Sequence, residues 1–353
     1  MPPFLNLLEP RSLVANFQAF PPAGFAASTA PHGLPVFQTN FDLLTTADDQ
    51  LRRRVTAMPF YEHWRRLLNP RTCFVGTTVT EYALFPETVP APRLVADLKS
   101  AYAREYPFLI VKDIPQASPL IDDAGNAYAD KVVAASLEAG FILLQGQALA
   151  YVPIDFDSVD TYLSRLSAGR RKDIRRKLRG RSELDIQRIP TGDAFFADET
   201  VLQQFYALYL NVYQQSELHF DLLTPEFFKA MLQSREDGGV VFVYRHNGSL
   251  IGYNVCYVKE GRLIDKYIGL LYPQARDFNL YFVSWFQNLE YALAEGLKHY
   301  VAGWTDPQIK AEIGASFTFT RHAVHVRNPL LRAVLRRLAG HFENDRSWSE
   351  KQA

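Results

Sequence analysis

Cysteine is nearly absent: Cys73 and Cys256 are the only two, far apart and each among apolar neighbours. That excludes a disulfide framework and a CxxC metal motif, and two buried, reduced thiols are expected. Net charge is lacking as well, since 38 Lys+Arg cancel 38 Asp+Glu. No field acts over the whole surface to attract nucleic acid or an anionic membrane, so any polyanion site must be local. Long apolar runs are missing too, and nothing reaches the roughly 18 residues that a membrane-spanning helix needs. The start, MPPFLNLLEPRSL, has no basic n-region and is interrupted by Pro2, Pro3 and Glu9, which argues against a signal peptide. A cytoplasmic chain without a transmembrane segment is expected. What is present is core material: 353 residues, 48% hydrophobic and 13% aromatic, which is ample for about two domains.

Four stretches follow one another. Residues 1–70 form an N-terminal arm with helices, including a helical pattern from Asp48 to Leu68 broken at Pro59. Residues 71–155 alternate strands and helices as a first half: Thr72–Phe85 and Phe108–Lys112 read as strands, and Ala129–Ala139 as a helix ended by Gly140. Two short strands, Phe141–Leu144 and Leu149–Ile154, close that half.

Residues 156–327 form a second half. It opens with a helical segment, Tyr162–Arg181, whose last twelve positions carry eight basic residues. Glu199–Gln215 has helical aromatic spacing, and Thr224 with Pro225 caps and starts another helix. The clearest signal is Val240–Leu270, where turns at Asn247-Gly248 and Glu260-Gly261 separate three alternating runs into an antiparallel meander. A helix over Asp277–Glu295 and strands at His299–Ala302 and Phe317–Val326 follow. Residues 328–353 are a basic amphipathic helix, Pro329–Leu338, and a polar tail.

The order of meander, helix, strand and further strand resembles the acyl-CoA N-acyltransferase (GNAT) fold, and four stretches resemble its FemAB-like, peptidoglycan-bridge-ligase-like branch. These are Tyr162–Arg179, Leu218–Phe228, Asp265-Lys-Tyr-Ile-Gly269 continuing into Ala275–Tyr281, and Gly303-Trp-Thr305 with Lys310-Ala-Glu-Ile-Gly-Ala315. The resemblance covers about residues 155–326. It implies an α/β (α+β) chain of two tandem GNAT-like halves, each a mixed, mainly antiparallel sheet flanked by helices. It also implies an N-acyltransferase that moves an acyl or aminoacyl group to a small-molecule or peptide amine by direct attack in a ternary complex. The donor would be a co-substrate (acyl-CoA, acyl carrier protein or aminoacyl-tRNA), with no tightly bound cofactor.

Such transfer needs donors for the tetrahedral oxyanion and a route for one proton, but neither a metal nor a covalent nucleophile. Lys310 matches the family lysine that steadies developing negative charge. Asp265 and, two residues on in the same strand, Tyr267 are expected to share one face and to handle the proton. His219, between Glu217 and Asp221 in a polar connection, is a further candidate base. His322 and His325, three apart in a strand, face opposite sides and offer no shared metal site. In the slot where coenzyme-A-dependent relatives carry a glycine turn, this chain reads Gln274-Ala-Arg276-Asp-Phe-Asn279, so both glycines are replaced. Gln274, Arg276 and Asn279 are the candidate donor contacts there, and Asp277 is expected as the N-cap of the next helix. Arg170, Arg171, Arg175 and Arg176 suit donor or acceptor phosphates. The alternative is a catalytically silent GNAT-like module that binds RNA or another polyanion through this arginine-rich helix.

Overall fold

The computed structural model describes residues 3–45, 49–216 and 219–338. In chain order the elements begin with α1 (Arg11–Ala19), β1 (Ala26–Thr29), β2 (Pro35–Asn40), α2 (Asp49–Thr56), α3 (Tyr61–Trp64) and β3 (Arg71–Val75). Next come α4 (Ala91–Tyr102), β4 (Phe108–Gln116), α5 (Asp123–Glu138), β5 (Ile142–Pro153), α6 (Val159–Ser164) and α7 (Ala168–Lys177). Then follow β6 (Asp185–Pro190), α8 (Glu199–Gln215), α9 (Pro225–Leu232), β7 (Gly239–His246), β8 (Ser249–Lys259) and β9 (Arg262–Leu270). The last are α10 (Gln274–Asp277), α11 (Leu280–Ala294), β10 (His299–Gly303), α12 (Pro307–Glu312), β11 (Ser316–Val326) and α13 (Pro329–Leu338).

The chain divides into two compact units. The first holds the residues up to Leu8, Gly24–Ala148 and the chain from Thr318; the second holds Glu9–Ala23 and Leu149–Phe317. In the first unit the strand order is β1-β2-β3-β4-β11, with β3 and β4 parallel and every other pair antiparallel. In the second, β7-β8-β9-β10-β5 repeats the same succession of senses, with β9 and β10 the parallel pair and β6 added outside β7. The strand following β4 in the chain, β5, lies beside β10, whereas the strand following β10, β11, lies beside β4. Each half is thus a mixed, mainly antiparallel sheet with helices on it.

The meander forms as its turns dictate: Asn247 and Gly248, then Glu260 and Gly261, all take positive φ, which the right-handed twist of a tight hairpin favours. Helix starts are capped by side chains, Asp122 for α5, Ser167 for α7, Asp198 for α8 and Thr224 for α9. Inside the second unit Trp285, Phe286 and Leu289 of α11 pack with Phe242, Leu263 and Tyr300 of the sheet.

Several expected elements are placed differently. The strand expected over Thr72–Phe85 stops at Val75, because Thr77 turns its hydroxyl back to accept from the N–H groups of Val79 and Thr80. The two short strands after Gly140 are one, β5, running through Gly146. Ser167 splits the helical segment Tyr162–Arg181 into α6 and α7, and the helix expected over Asp277–Glu295 starts only at Leu280, after Asn279 with φ of 50° separates it from α10. Asp277 therefore ends α10 instead of capping α11. In the arm, α1 and the β1–β2 hairpin were hidden among prolines. Asp48, Glu217, Leu218 and the tail after Leu338 lie outside the described residues.

Candidate active site

The parallel pair β9/β10 is short. His299, Tyr300 and Val301 pair with Arg262, Leu263 and Ile264, and beyond that point the strands part. Both strands carry an extra residue just there: Lys266 has no counterpart on β8, and Ala302 none on β5. Such irregularities re-aim side chains and are concentrated next to active sites.

Asp265 sits at the opening. Its Oδ2 accepts from Asn288 Nδ2 of α11 at 2.8 Å and from the Tyr300 hydroxyl of β10 at 3.1 Å. Its Oδ1 lies 3.4 Å from Asn254 Nδ2 and 3.5 Å from Cys256 Sγ, both on β8. Behind them Asn254 Nδ2 donates to Asn288 Oδ1 at 3.0 Å, and the Tyr244 hydroxyl to Asn254 Oδ1 at 2.7 Å. Four side chains from three elements thus meet one carboxylate with neutral donors. Burial pushes the Asp265 carboxyl above its ordinary range, opposed by its hydrogen bonds from Tyr300, Asn254 and Cys256 and by the charge of Lys310. Burial also holds the Tyr300 phenol and the Cys256 thiol well up, with the Asp265 charge adding to both. The other thiol, Cys73, is buried as well and pushed up to about 12.

Lys310, on α12, is 4% exposed and donates from Nζ to the carbonyl of the extra residue Ala302 at 2.6 Å. Gly303, with φ of 79°, completes the opening: a Cβ there would stand 4.0 Å from Lys310 Nζ and 3.9 Å from the Asp265 carbonyl oxygen. The Tyr281 hydroxyl of α11 is buried with no hydrogen-bond partner among the described residues, and after burial itself the charges of Asp306 and Asp265 push its pKa up. A buried hydroxyl of that kind costs about 1–3 kcal/mol and invites a ligand group.

Of the expected site residues, Asp265 and Lys310 come together. Tyr267 does not join them. The extra residue Lys266 breaks the alternation, so Tyr267 pairs with Val255 and turns its ring to Phe227 and Phe228 of α9. Lys266 points that way too, in an ion pair with Glu9 at 3.2 Å. The exposed His219 ring packs edge-on against Tyr213 at 5.0 Å and joins no hydrogen bond of the Asp265 network. Asn254, Asn288 and Tyr300 carried no sequence signal of their own, since each is one polar residue in a buried run on a separate element.

On the donor side, Gln274 is exposed at the start of α10. Arg276 donates to Gln215 at 2.7 Å and stacks on Tyr272, and Asn279 supplies the left-handed residue before α11. The basic helix lies beside this segment: Lys177 Nζ stands 3.7 Å over the Phe282 ring, and a Cβ on Gly180 would be 3.2 Å from Phe278. Much of its charge is already used. Arg171 binds the Leu166 carbonyl, Arg175 pairs with Asp160, and Arg176 and Lys177 pair with Asp173. Arg170, Lys172 and Arg179 are exposed and have no acidic partner among the described residues.

Two mixed halves, the second parting its parallel strands around a buried carboxylate and a lysine, define a GNAT-like protein. The chain matches the FemAB-like family, described as peptidoglycan biosynthesis/recognition, over residues 121–351, and it belongs to that family. Among solved structures it is similar to FemX, with a TM-score of 0.55 at 12% identity, covering 95% of this chain and 96% of that one. It is similar to L-PGS from Bacillus licheniformis, with a TM-score of 0.54 at 11% identity over 95% and 98%. The C-terminal DUF2156 domain of a proposed lysylphosphatidylglycerol synthetase from Agrobacterium fabrum gives 0.51 at 14% identity over 92% and 88%. At such identities these likenesses establish the fold. Among curated proteins there is no sequence match.

Proposed function

We propose that this FemAB-like chain is an aminoacyl- or acyltransferase that joins an activated acyl group to an amine at the opening between β9 and β10. The observation that carries the reading is the placement there of Asp265, its pKa raised by burial, beside Lys310. A catalytic base works best with a pKa displaced toward the operating pH, and burial displaces Asp265 in that direction. The amine nitrogen attacks the donor carbonyl carbon, Lys310 steadies the resulting oxyanion, and Asp265 takes the amine proton. Tyr300, held protonated by burial, keeps the carboxylate oriented. Collapse then breaks the bond to the leaving oxygen or sulfur, which receives the proton.

The donor segment favours an aminoacyl-tRNA over coenzyme A. A pyrophosphate needs backbone N–H groups at a helix start that can be approached closely. Here that place holds Asp277, a side-chain-bearing Asn279 and the apolar first turn Leu280-Tyr281-Phe282. The phosphates of an RNA donor would instead meet the exposed Arg170, Lys172 and Arg179. The family description, together with one structural neighbour named for lysylphosphatidylglycerol synthesis, supports an acceptor among cell-envelope precursors.

The test is thermal unfolding of the whole chain against charged bulk tRNA, uncharged tRNA, acetyl-CoA, a long-chain acyl-CoA and acyl carrier protein, at low and high salt. Binding to the native state raises the midpoint. A rise with charged tRNA that exceeds the rise with uncharged tRNA and persists in salt supports this reading. A rise with tRNA regardless of charging, lost in salt, would favour the polyanion-binding module instead.

A further inference from the structure

The helix α13 has more exposed apolar surface than its length explains. Of nine large hydrophobic side chains exposed among the described residues, three lie on its ten positions: Leu330 at 78%, Val334 at 51% and Leu331 at 36%. At 3.6 residues per turn, Leu330, Val334, Leu338, Leu331 and Leu335 fall within one arc of about 140°, with Arg332, Arg336 and Arg337 on the remainder. One side of that arc is seated on the first unit: Leu335 and Leu338 are half-buried, and Arg332 Nε donates to the Val326 carbonyl at 3.1 Å. The other side, with Leu330 and Val334, faces water. Leu137, a further exposed leucine at 52%, lies near the end of α5, just before Gly140, whose Cβ position is 3.4 Å from Arg332 Nη1.

Charge accompanies the leucines. Residues 327–338 contain four arginines and no acid, in a chain whose net charge is zero. Arg336 and Arg337 are exposed and have no acidic partner among the described residues.

We propose that α13 is a surface anchor that docks the protein on an anionic lipid bilayer. An apolar strip bordered by arginines is the chemistry of a helix lying in the plane of a membrane interface. The leucines enter the boundary between headgroups and acyl chains, and the guanidinium groups meet lipid phosphates. Among the described residues no helix is long and apolar enough to cross a membrane, so this is docking on the surface. A second copy fits the patch poorly, because two-fold packing of the same face would oppose arginine to arginine. A nucleic acid would satisfy the arginines and leave Leu330 and Val334 in water. The inference does not depend on the transferase reading.

The test is cosedimentation of the whole chain with vesicles of phosphatidylcholine alone or mixed with phosphatidylglycerol. The protein is expected to pellet with the anionic vesicles, at least tenfold more than with the zwitterionic ones, and less in high salt. Leu330→Ser with Val334→Ser, both at exposed positions, should lower that partition at least tenfold without moving the thermal midpoint, and Arg336→Gln with Arg337→Gln several-fold. Pelleting undiminished by the leucine substitutions would overturn the proposal. So would a concentration-dependent dimer that these substitutions dissociate, or binding to RNA that the arginine pair abolishes while vesicles are ignored.

Discussion

In the second unit, β9 and β10 part after Ile264 and Val301, and the carboxylate at the opening, Asp265, is met by amide and phenol donors from α11, β8 and β10. In the first unit, β3 and β4 part after Val75 and Val111, and the carboxylate there, Asp113, is met by its own neighbour Lys112. Lys112 Nζ also donates to the Thr77 carbonyl at 2.9 Å, and the Asp113 N–H, turned out of the ladder at φ of 57°, donates to His322 Nδ1 at 3.0 Å. The two openings share a topology and differ in their chemistry. One holds an ion pair already balanced and tied to backbone. The other holds a carboxylate met by neutral donors, on which Lys310 acts through its charge.

The largest expected difference between the openings is in rate. Asp265→Asn keeps the shape of the side chain but removes its charge and one accepting oxygen, and should cut transfer about 10²- to 10⁴-fold. Asp113→Asn, at a position where asparagine accepts the left-handed conformation, should leave single-turnover transfer within about threefold. Equal losses would erase the distinction. Next in size is the support beneath β9. Lys266 and Glu9 form a pair with side chains 7% and 1% exposed, and Lys266→Met removes the cation from that buried pair. Denaturant unfolding should show a loss of about 3–5 kcal/mol. The corresponding Lys112→Met, in a less buried pair, should cost less.

Glycine substitutions sharpen the contrast at a smaller scale. In Gly146→Ala the new Cβ would meet Thr320 Oγ1 at 2.1 Å, so the first unit should lose about 1–3 kcal/mol. Gly303→Ala meets nothing closer than 3.9 Å and carries only the cost of its positive φ, about 1 kcal/mol. Its methyl group nevertheless stands between Lys310 and the Asp265 backbone, so its effect should fall on kcat.

The smallest effect is a titration. Burial holds His322 below its ordinary 6.5, the Asp113 charge opposes that, and Lys112 reinforces it. A depressed folded pKa means that the neutral ring stabilises the fold above about 6.5, and that this is lost as pH falls through the folded value. Asp113→Asn should lower the His322 midpoint further in an NMR titration, and a rise would contradict the assignment.

How much of this was legible in the sequence follows from distance along the chain. The meander was, because its two turns and its alternation are local. The closeness of Lys310 to Asp265 was, because their segments resemble a family. Tyr267 was misplaced because one extra residue, Lys266, defeats the period of two. The Asp265 donors Asn254, Asn288 and Tyr300 were invisible, since a network assembled from a strand, a helix and a second strand leaves no spacing to read. The exchange of β5 and β11 between the halves was hidden for the same reason.

The most direct test of the central claim is the pH dependence of single-turnover transfer from aminoacyl-tRNA to a lysine-bearing peptide. Asp265 must be ionised to accept the proton, so the rate should rise with pH along an acid limb whose midpoint lies above the ordinary carboxylate range. Lys310→Met, which removes a charge that lowers the Asp265 pKa, should move that limb upward while reducing the plateau about 10²- to 10³-fold. Asp265→Asn should abolish the limb. A limb that keeps its midpoint in both variants would contradict the assignment of Asp265 as the proton acceptor.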